Sequence, residues 1–176
     1  MKRLATAVAL LLVACVGLAT LGGVGASGAH SGTTGDDHGQ GADVAALHEL
    51  QAAFHHAVSG GGHIDELAAL WAPDATFTVG GSVIVGRDAI RTFFSKAPSF
   101  QHPTWVSLAP SFKTTIDVHG RSADLYFECH FVDLATGALV APGPAYAGGT
   151  FVGTAVKRHG QWLFKDVTAG SAPLTA

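Results

Sequence analysis

Cysteine, tyrosine, methionine and charge are all scarce in this chain of 176 residues. It has 2 cysteines, 2 tyrosines and 1 methionine, and Asp, Glu, Lys and Arg together make up 13% of it. Soluble domains average roughly 25% charged residues, so uncharged polar side chains and the 23 glycines must form much of the surface. Lys and Arg number 10 and form no run longer than two, which excludes the clustered basic footprint of a nucleic-acid binder. Cys15 lies in an N-terminal segment that reads as removable, and Cys129 is then alone. No disulfide can staple the remaining domain, so its core must hold it together.

Apolar length is abundant, but only at the start. Lys2 and Arg3 precede an unbroken apolar stretch over residues 4–21, and small residues follow to Ala29. A basic start, an apolar middle and a small-residue end read as an export signal over residues 1–29, cut after Ala26 or Ala29. Two other readings exist. The stretch approaches the roughly 20 apolar residues that span a bilayer, although glycines at 17, 22, 23 and 25 weaken that membrane tether. Residues 12–15, Leu-Val-Ala-Cys, match a lipid-attachment pattern at Cys15. Cleavage after Ala29 leaves 147 residues, enough for one domain with one core. Lys2 and Arg3 leave too, so 8 basic and 13 acidic residues remain, a balance of −5 with neutral histidines. The product is expected outside the cytoplasmic membrane, released or attached to the envelope.

Residues 30–42 are rich in Gly, Ser, Thr and Asp and have no apolar period, the composition of a flexible linker. The domain is then expected over residues 43–170. Asp43 reads as the N-cap of an amphipathic helix carrying Val44, Leu47, Leu50, Phe54 and Val58, ended by Ser59-Gly60-Gly61-Gly62. A second helix is expected over 64–72, with Leu67, Leu70 and Trp71 on its apolar side and Pro73 after it. Gly80-Gly81 turns strand 75–79 into strand 82–85. A third helix follows over 88–94. The rest is strand and turn: 104–108 and 112–118 interrupted at Pro110, then 123–132, 149–157 and 162–167. A curved sheet folded about helices on one face accommodates that order.

Leu70-Trp71-Ala72-Pro73-Asp74-Ala75-Thr76-Phe77, followed by residues 86–94, Gly-Arg-Asp-Ala-Ile-Arg-Thr-Phe-Phe, resembles the core motif of the SnoaL-like proteins of the nuclear-transport-factor-2-like superfamily. Residues 116–123 and 149–162 are similar to that family's two later turns, so the likeness spans roughly residues 43–168. It implies an α+β fold, a curved antiparallel β-sheet wrapped around three N-terminal helices in a cone-shaped, cystatin-like roll. It also implies an apolar cavity, no cofactor and frequent pairing as a homodimer through the sheet. The family spans ketosteroid isomerases, scytalone dehydratases, limonene epoxide hydrolases and polyketide cyclases, so function must be argued from the site. The isomerase base, tyrosine and second aspartate would fall near Val79, Phe54 and Gly149 or Thr150, none of them ionisable. Isomerase chemistry of that type is therefore not expected.

Phe54, Trp71, Phe77, Val79 and Phe94 are candidates to line the cavity. Trp105, Phe127, Cys129 and Tyr146 complete the set. Along the strand 123–132, Leu125, Phe127, Cys129 and Phe131 share one face, and Asp124, Tyr126, Glu128 and His130 share the other. The apolar face is expected inside. The sharper alternative turns the other face inward, with Glu128 and His130 as a base and its orienter. His102, before Pro103, is a candidate to polarise a carbonyl or take a proton at the cavity mouth, or is an idle loop histidine. Cys129 reads as a buried, inert thiol. All 10 histidines lie at or after His30. His48 and His55 share a side of the first helix, and His56 and His63 lie nearby, but no cysteine or acidic partner completes a ligand set. No metal is expected. Three functions remain open: binding of a small apolar molecule, a cyclase, isomerase or dehydratase activity using these histidines, or a dimerisation or envelope-interaction domain.

Overall fold

The computed structural model describes residues 34–110, 113–140 and 148–171. Helix α1 runs Thr34–Ala57 and α2 Ile64–Ala69. Strands β1 (Trp71–Val79) and β2 (Ser82–Val85) precede α3 (Arg87–Phe94) and the single turn α4 (Pro98–Gln101). The remaining strands are β3 (Trp105–Leu108), β4 (Thr114–His119), β5 (Ser122–Asp133), β6 (Ala138–Leu139), β7 (Gly148–Arg158) and β8 (Gln161–Gly170). These eight strands form one sheet in the order β2-β1-β8-β7-β5-β3, with β4 and β6 also paired to β5. Among the described residues no helix is long and apolar enough to cross a membrane.

The α+β class and the curved sheet are as expected, with one difference in pairing. β1 and β8 run parallel, so the sheet is mixed rather than purely antiparallel. Trp71 pairs with Phe164 and residues 76–79 pair with 166–169, leaving an irregularity between Trp71 and Thr76. Pro73, without an N–H to give, sits in that gap, where a ladder bond is already missing. Asp74 beside it is exposed and takes Arg158 and Lys165 from the adjoining hairpin. Trp71 accordingly belongs to β1, not to the second helix.

Residues 30–33 of the expected linker lie outside the described residues, and over residues 34–42 the expectation needs correction, because α1 already begins at Thr34. Asp43 is not an N-cap but lies inside the helix. Its carboxylate accepts hydrogen bonds from Lys157 Nζ and from Trp162 Nε1 at 3.0 Å, tying α1 to the β7–β8 hairpin. Those bonds hold its carboxyl below the usual carboxylate range.

β5 is the strand around which the interior is organised. One edge pairs with β7; the other pairs with β4 over residues 122–127 and with β3 over 130–133. β3 and β4 thus follow one another along β5, as the Pro110 interruption suggested. Leu125, Phe127, Cys129 and Phe131 are all buried in the core, so the apolar-inside expectation holds. Phe54 on α1 meets Phe127, Phe151 and Phe164 with ring centroids 5.6, 4.9 and 5.8 Å apart. Trp71, Phe77 and Phe94 extend the same ring cluster.

Candidate functional site

The aromatic residues expected to border a hollow lie buried against one another. Phe54, Trp71 and Phe77 are at most 1% exposed, and Val79, Phe94, Phe127 and Cys129 are buried with them. Phe127 and Phe151 stack with centroids 5.0 Å apart, and Phe77 stacks on Phe94 at 5.2 Å. Trp105 is half-buried, and Tyr146 lies outside the described residues. A separate cavity of ≈ 350 Å³ opens between α3 and β2, lined by Ile84, Ala89, Thr92, Phe93 and Lys96, none of them expected.

Inside this apolar interior lies a short polar chain. α1 buries residues 47, 50, 51, 54, 55 and 57 on one side, so Gln51 and His55 enter the core one turn apart. His55 Nδ1 is 2.7 Å from Ser107 Oγ, which is 3.0 Å from Cys129 Sγ. Gln51 Nε2 donates to Thr114 Oγ1 at 3.0 Å. Ser59 Oγ donates to the His55 carbonyl at 2.7 Å and accepts from the Ser107 N–H at 2.8 Å, fixing α1 against β3. Burial, aided by the charge of His130, lowers the His55 pKa from 6.5 to about 4, so the ring is neutral at pH 7. Burial pushes the Cys129 thiol up to about 12 despite its bond to Ser107, the inert thiol expected. Among the described residues, His55 Nε2 and Trp71 Nε1 are buried without a hydrogen-bond partner. Leaving such a group unpaired costs about 1–3 kcal/mol, so both nitrogens stand out, and His55 is the one joined to the polar chain.

A second cluster sits on the opposite face of β5. Tyr126 donates its hydroxyl to Glu128 Oε1 at 2.7 Å, His130 Nε2 lies 2.8 Å from Glu128 Oε2, and Lys113 Nζ is 3.7 Å from Oε1. Glu128 is 3% and His130 4% exposed, so this face is not simply solvated at these two positions. Burial works to raise the Glu128 pKa, but the bonds from Tyr126 and His130 and the nearby Lys113 charge outweigh it and leave it lowered. An ionised carboxylate only accepts, so His130 carries its proton on Nε2. The structure therefore brings the expected Glu128 and His130 together. His102 does not join them: it is exposed, stacks on Trp105 at 4.3 Å, and has the Asp133 carboxylate as its charged neighbour.

Sequence reasoning passed over the role of His55. Its spacing was the available signal, because Leu47, Gln51 and His55 follow i, i+4 steps along the buried stripe. His48, seven residues before His55, is exposed. The acidic partner thought missing for the histidines exists. Glu66 lies 3.6 Å from His56 and 3.5 Å from His63.

Helices packed on a curved mixed sheet with a buried polar group at the centre define a cystatin-like α+β roll. The chain belongs to the SnoaL-like domain family, whose model matches residues 40–168. Among curated proteins none matches it. Solved structures share the fold at low identity. An NTF2-like protein with a cystatin-like fold from Novosphingobium aromaticivorans is 16% identical, with TM-score 0.65, over 85% of this chain and 95% of that one. A protein of unknown function from Mycobacterium tuberculosis is 19% identical, with TM-score 0.63, over 82% and 80%. The hexachlorocyclohexane dehydrochlorinase LinA-type3 from Novosphingobium barchaimii is 15% identical, with TM-score 0.62, over 79% and 92%.

Proposed function

We propose that this domain binds a small, mainly apolar molecule whose single polar group is received by His55 Nε2. The observation that carries the reading is that neutral, unpaired nitrogen held among the rings of Phe54 and Phe127. A carbonyl or hydroxyl brought by a ligand would relieve it, and the surrounding rings would contact the hydrocarbon part. Access requires the stacked rings to part, with ligand contacts replacing ring–ring contacts. A pKa of about 4 makes His55 a poor general base at neutral pH but leaves it a good hydrogen-bonding group. That weighs for binding over proton abstraction at this position, and Val79 and Phe54 offer no carboxylate or phenol nearby. The fold of a hexachlorocyclohexane dehydrochlorinase is compatible with a small apolar guest, by analogy only.

The test is purification of the full chain from its native host, followed by solvent extraction and mass spectrometry. A stoichiometric, largely hydrocarbon molecule with one oxygen-bearing group is expected. Protein that carries nothing in stoichiometric amount would count against binding.

A second reading is favoured by the Glu128–His130 pair, a carboxylate that orients an imidazole. In a lyase or isomerase, His130 Nδ1 would take the substrate's proton while Glu128 balances the charge. Turnover of a candidate substrate would then fall in both Glu128→Gln and His130→Ala; unchanged turnover in both would end this reading. We propose further that the domain works outside the cytoplasmic membrane, on the strength of the basic, apolar and small-residue order of residues 1–29. Intact-mass measurement of exported protein should give an N-terminus at Ser27 or His30; a Met1 start would contradict cleavage.

A further inference from the structure

At the junction of α1 and α2, three metal-ligating side chains that belong to neither polar cluster converge. His56 closes α1, His63 precedes α2, and Glu66 lies in the first turn of α2. Their ligand atoms all lie within 4.8 Å of one another. His56 Nε2 is 3.6 Å from Glu66 Oε2, and His63 Nδ1 is 3.5 Å from Glu66 Oε1. The two imidazole rings stack with centroids 4.9 Å apart and 18° between their planes. We propose that His56, His63 and Glu66 form a binding site for a divalent transition metal of the zinc type.

The distances suit such an ion. A tetrahedral zinc holds its ligands at about 2.0–2.2 Å, which separates neighbouring ligand atoms by about 3.4 Å. Each histidine nitrogen lies within a few tenths of an ångström of that value from one oxygen of the Glu66 carboxylate, and the two stacked rings must turn toward each other to share one ion. Nitrogen and carboxylate donors match zinc, and three protein ligands leave a fourth position for water or an outside donor. A single dication satisfies both imidazole lone pairs and the carboxylate at once.

The backbone fixes the arrangement in advance. Gly60, Gly61 and Gly62 take φ of +64°, +91° and +76°, a conformation that folds the chain back on itself. Gly62 N–H donates to the Ser59 carbonyl at 3.0 Å, His63 N–H to Ala57 at 2.8 Å, and Gly60 N–H to Trp105 at 2.7 Å. The Phe100 ring fills the place of a Cβ at Gly62, so the turn is seated on the α4 region. His63 uses its backbone to start α2 and makes no side-chain capping bond, which leaves its ring available. The three side chains are 67%, 47% and 61% exposed, so an ion reaches them without any opening of the fold.

The experiment is calorimetric titration of zinc chloride into the full chain, untagged and freed of metal with EDTA. The wild-type protein should take up one equivalent in a distinct event. His63→Ala and Glu66→Gln should each weaken it about tenfold or more. His119→Ala, which removes another exposed histidine beside Asp117 and Asp124, should leave it unchanged. All the replaced side chains are exposed, and thermal melts in EDTA should show the variants folded like the wild type. Absence of uptake by the wild type, or equal uptake in His63→Ala and Glu66→Gln, would overturn the assignment.

Discussion

Acid should destabilise this domain through one buried imidazole. His55 is 5% exposed and its pKa falls from 6.5 to about 4, chiefly because burial disfavours the charged ring. A folded pKa below the unfolded one means that the unfolded chain binds the extra proton between those values. Stability is therefore complete above about pH 6.5 and is lost as pH falls toward 4. The whole gap is worth about 3 kcal/mol, and lowering the pH from 7 to 4.5 should remove about 2 kcal/mol of it. Other groups titrate too: Glu128, held below its ordinary 4.5, adds its own loss as pH falls through about 4.5. The useful quantity is thus a difference between two proteins. His55→Gln keeps an amide that can reach Ser107 but cannot titrate, so those other contributions remain while that of His55 goes. Urea unfolding of both proteins at pH 7 and pH 4.5 should show the wild type losing about 2 kcal/mol more than the variant. Parallel losses would refute a buried, neutral His55.

Three further outcomes follow from the same contacts. Glu128→Gln removes the charge that receives Tyr126, His130 and Lys113, and should destabilise the fold by about 1.5–3 kcal/mol in urea unfolding at pH 7; a change below about 0.5 kcal/mol would contradict the buried network. Cys129, buried with its thiol pushed up to about 12, should resist a thiol reagent at pH 8 and react at once in denaturant, followed by peptide mass spectrometry. Gly62→Ala combines a positive φ of 76° with a Cβ that collides with the Phe100 ring, and should cost about 2 kcal/mol or more in thermal melts.

Much of the architecture could be read from residue order because glycine and proline mark its turns. Gly80-Gly81, Gly120 and Gly160 all take positive φ where hairpin turns were expected. The alternation along β5 identified its core face, since Leu125, Phe127, Cys129 and Phe131 follow a strict two-residue period. The parallel pairing of β1 with β8 was not legible. It joins strands that lie at opposite ends of the domain, and no local pattern records which edge a late strand will meet. The start of α1 was missed for a different reason: residues 39–42 bury nothing, so the helix there has no apolar period to announce it.

The two polar clusters were half legible. Glu128 and His130 stood out as polar residues two apart on a strand. Their shared burial was unexpected because alternation assigns the second face of a sheet to solvent. His55 was hidden by its neighbours, since Phe54 and Val58 explained the helix without it. Only contact with Ser107, 52 residues later, and through it with Cys129 gives it a polar setting. The His56–His63–Glu66 group was obscured in the same way. Six residues, three of them glycines, separate the histidines in sequence, yet those glycines make the turn that brings them together.

The central claim is that His55 Nε2 awaits the polar end of an apolar guest, and a crystal structure of protein taken directly from its native host tests it most directly. Density for a small molecule is expected among Phe54, Phe127 and Phe151, with an oxygen about 3 Å from that nitrogen. Rings closed on one another around an empty, unpaired Nε2 in such protein would contradict it.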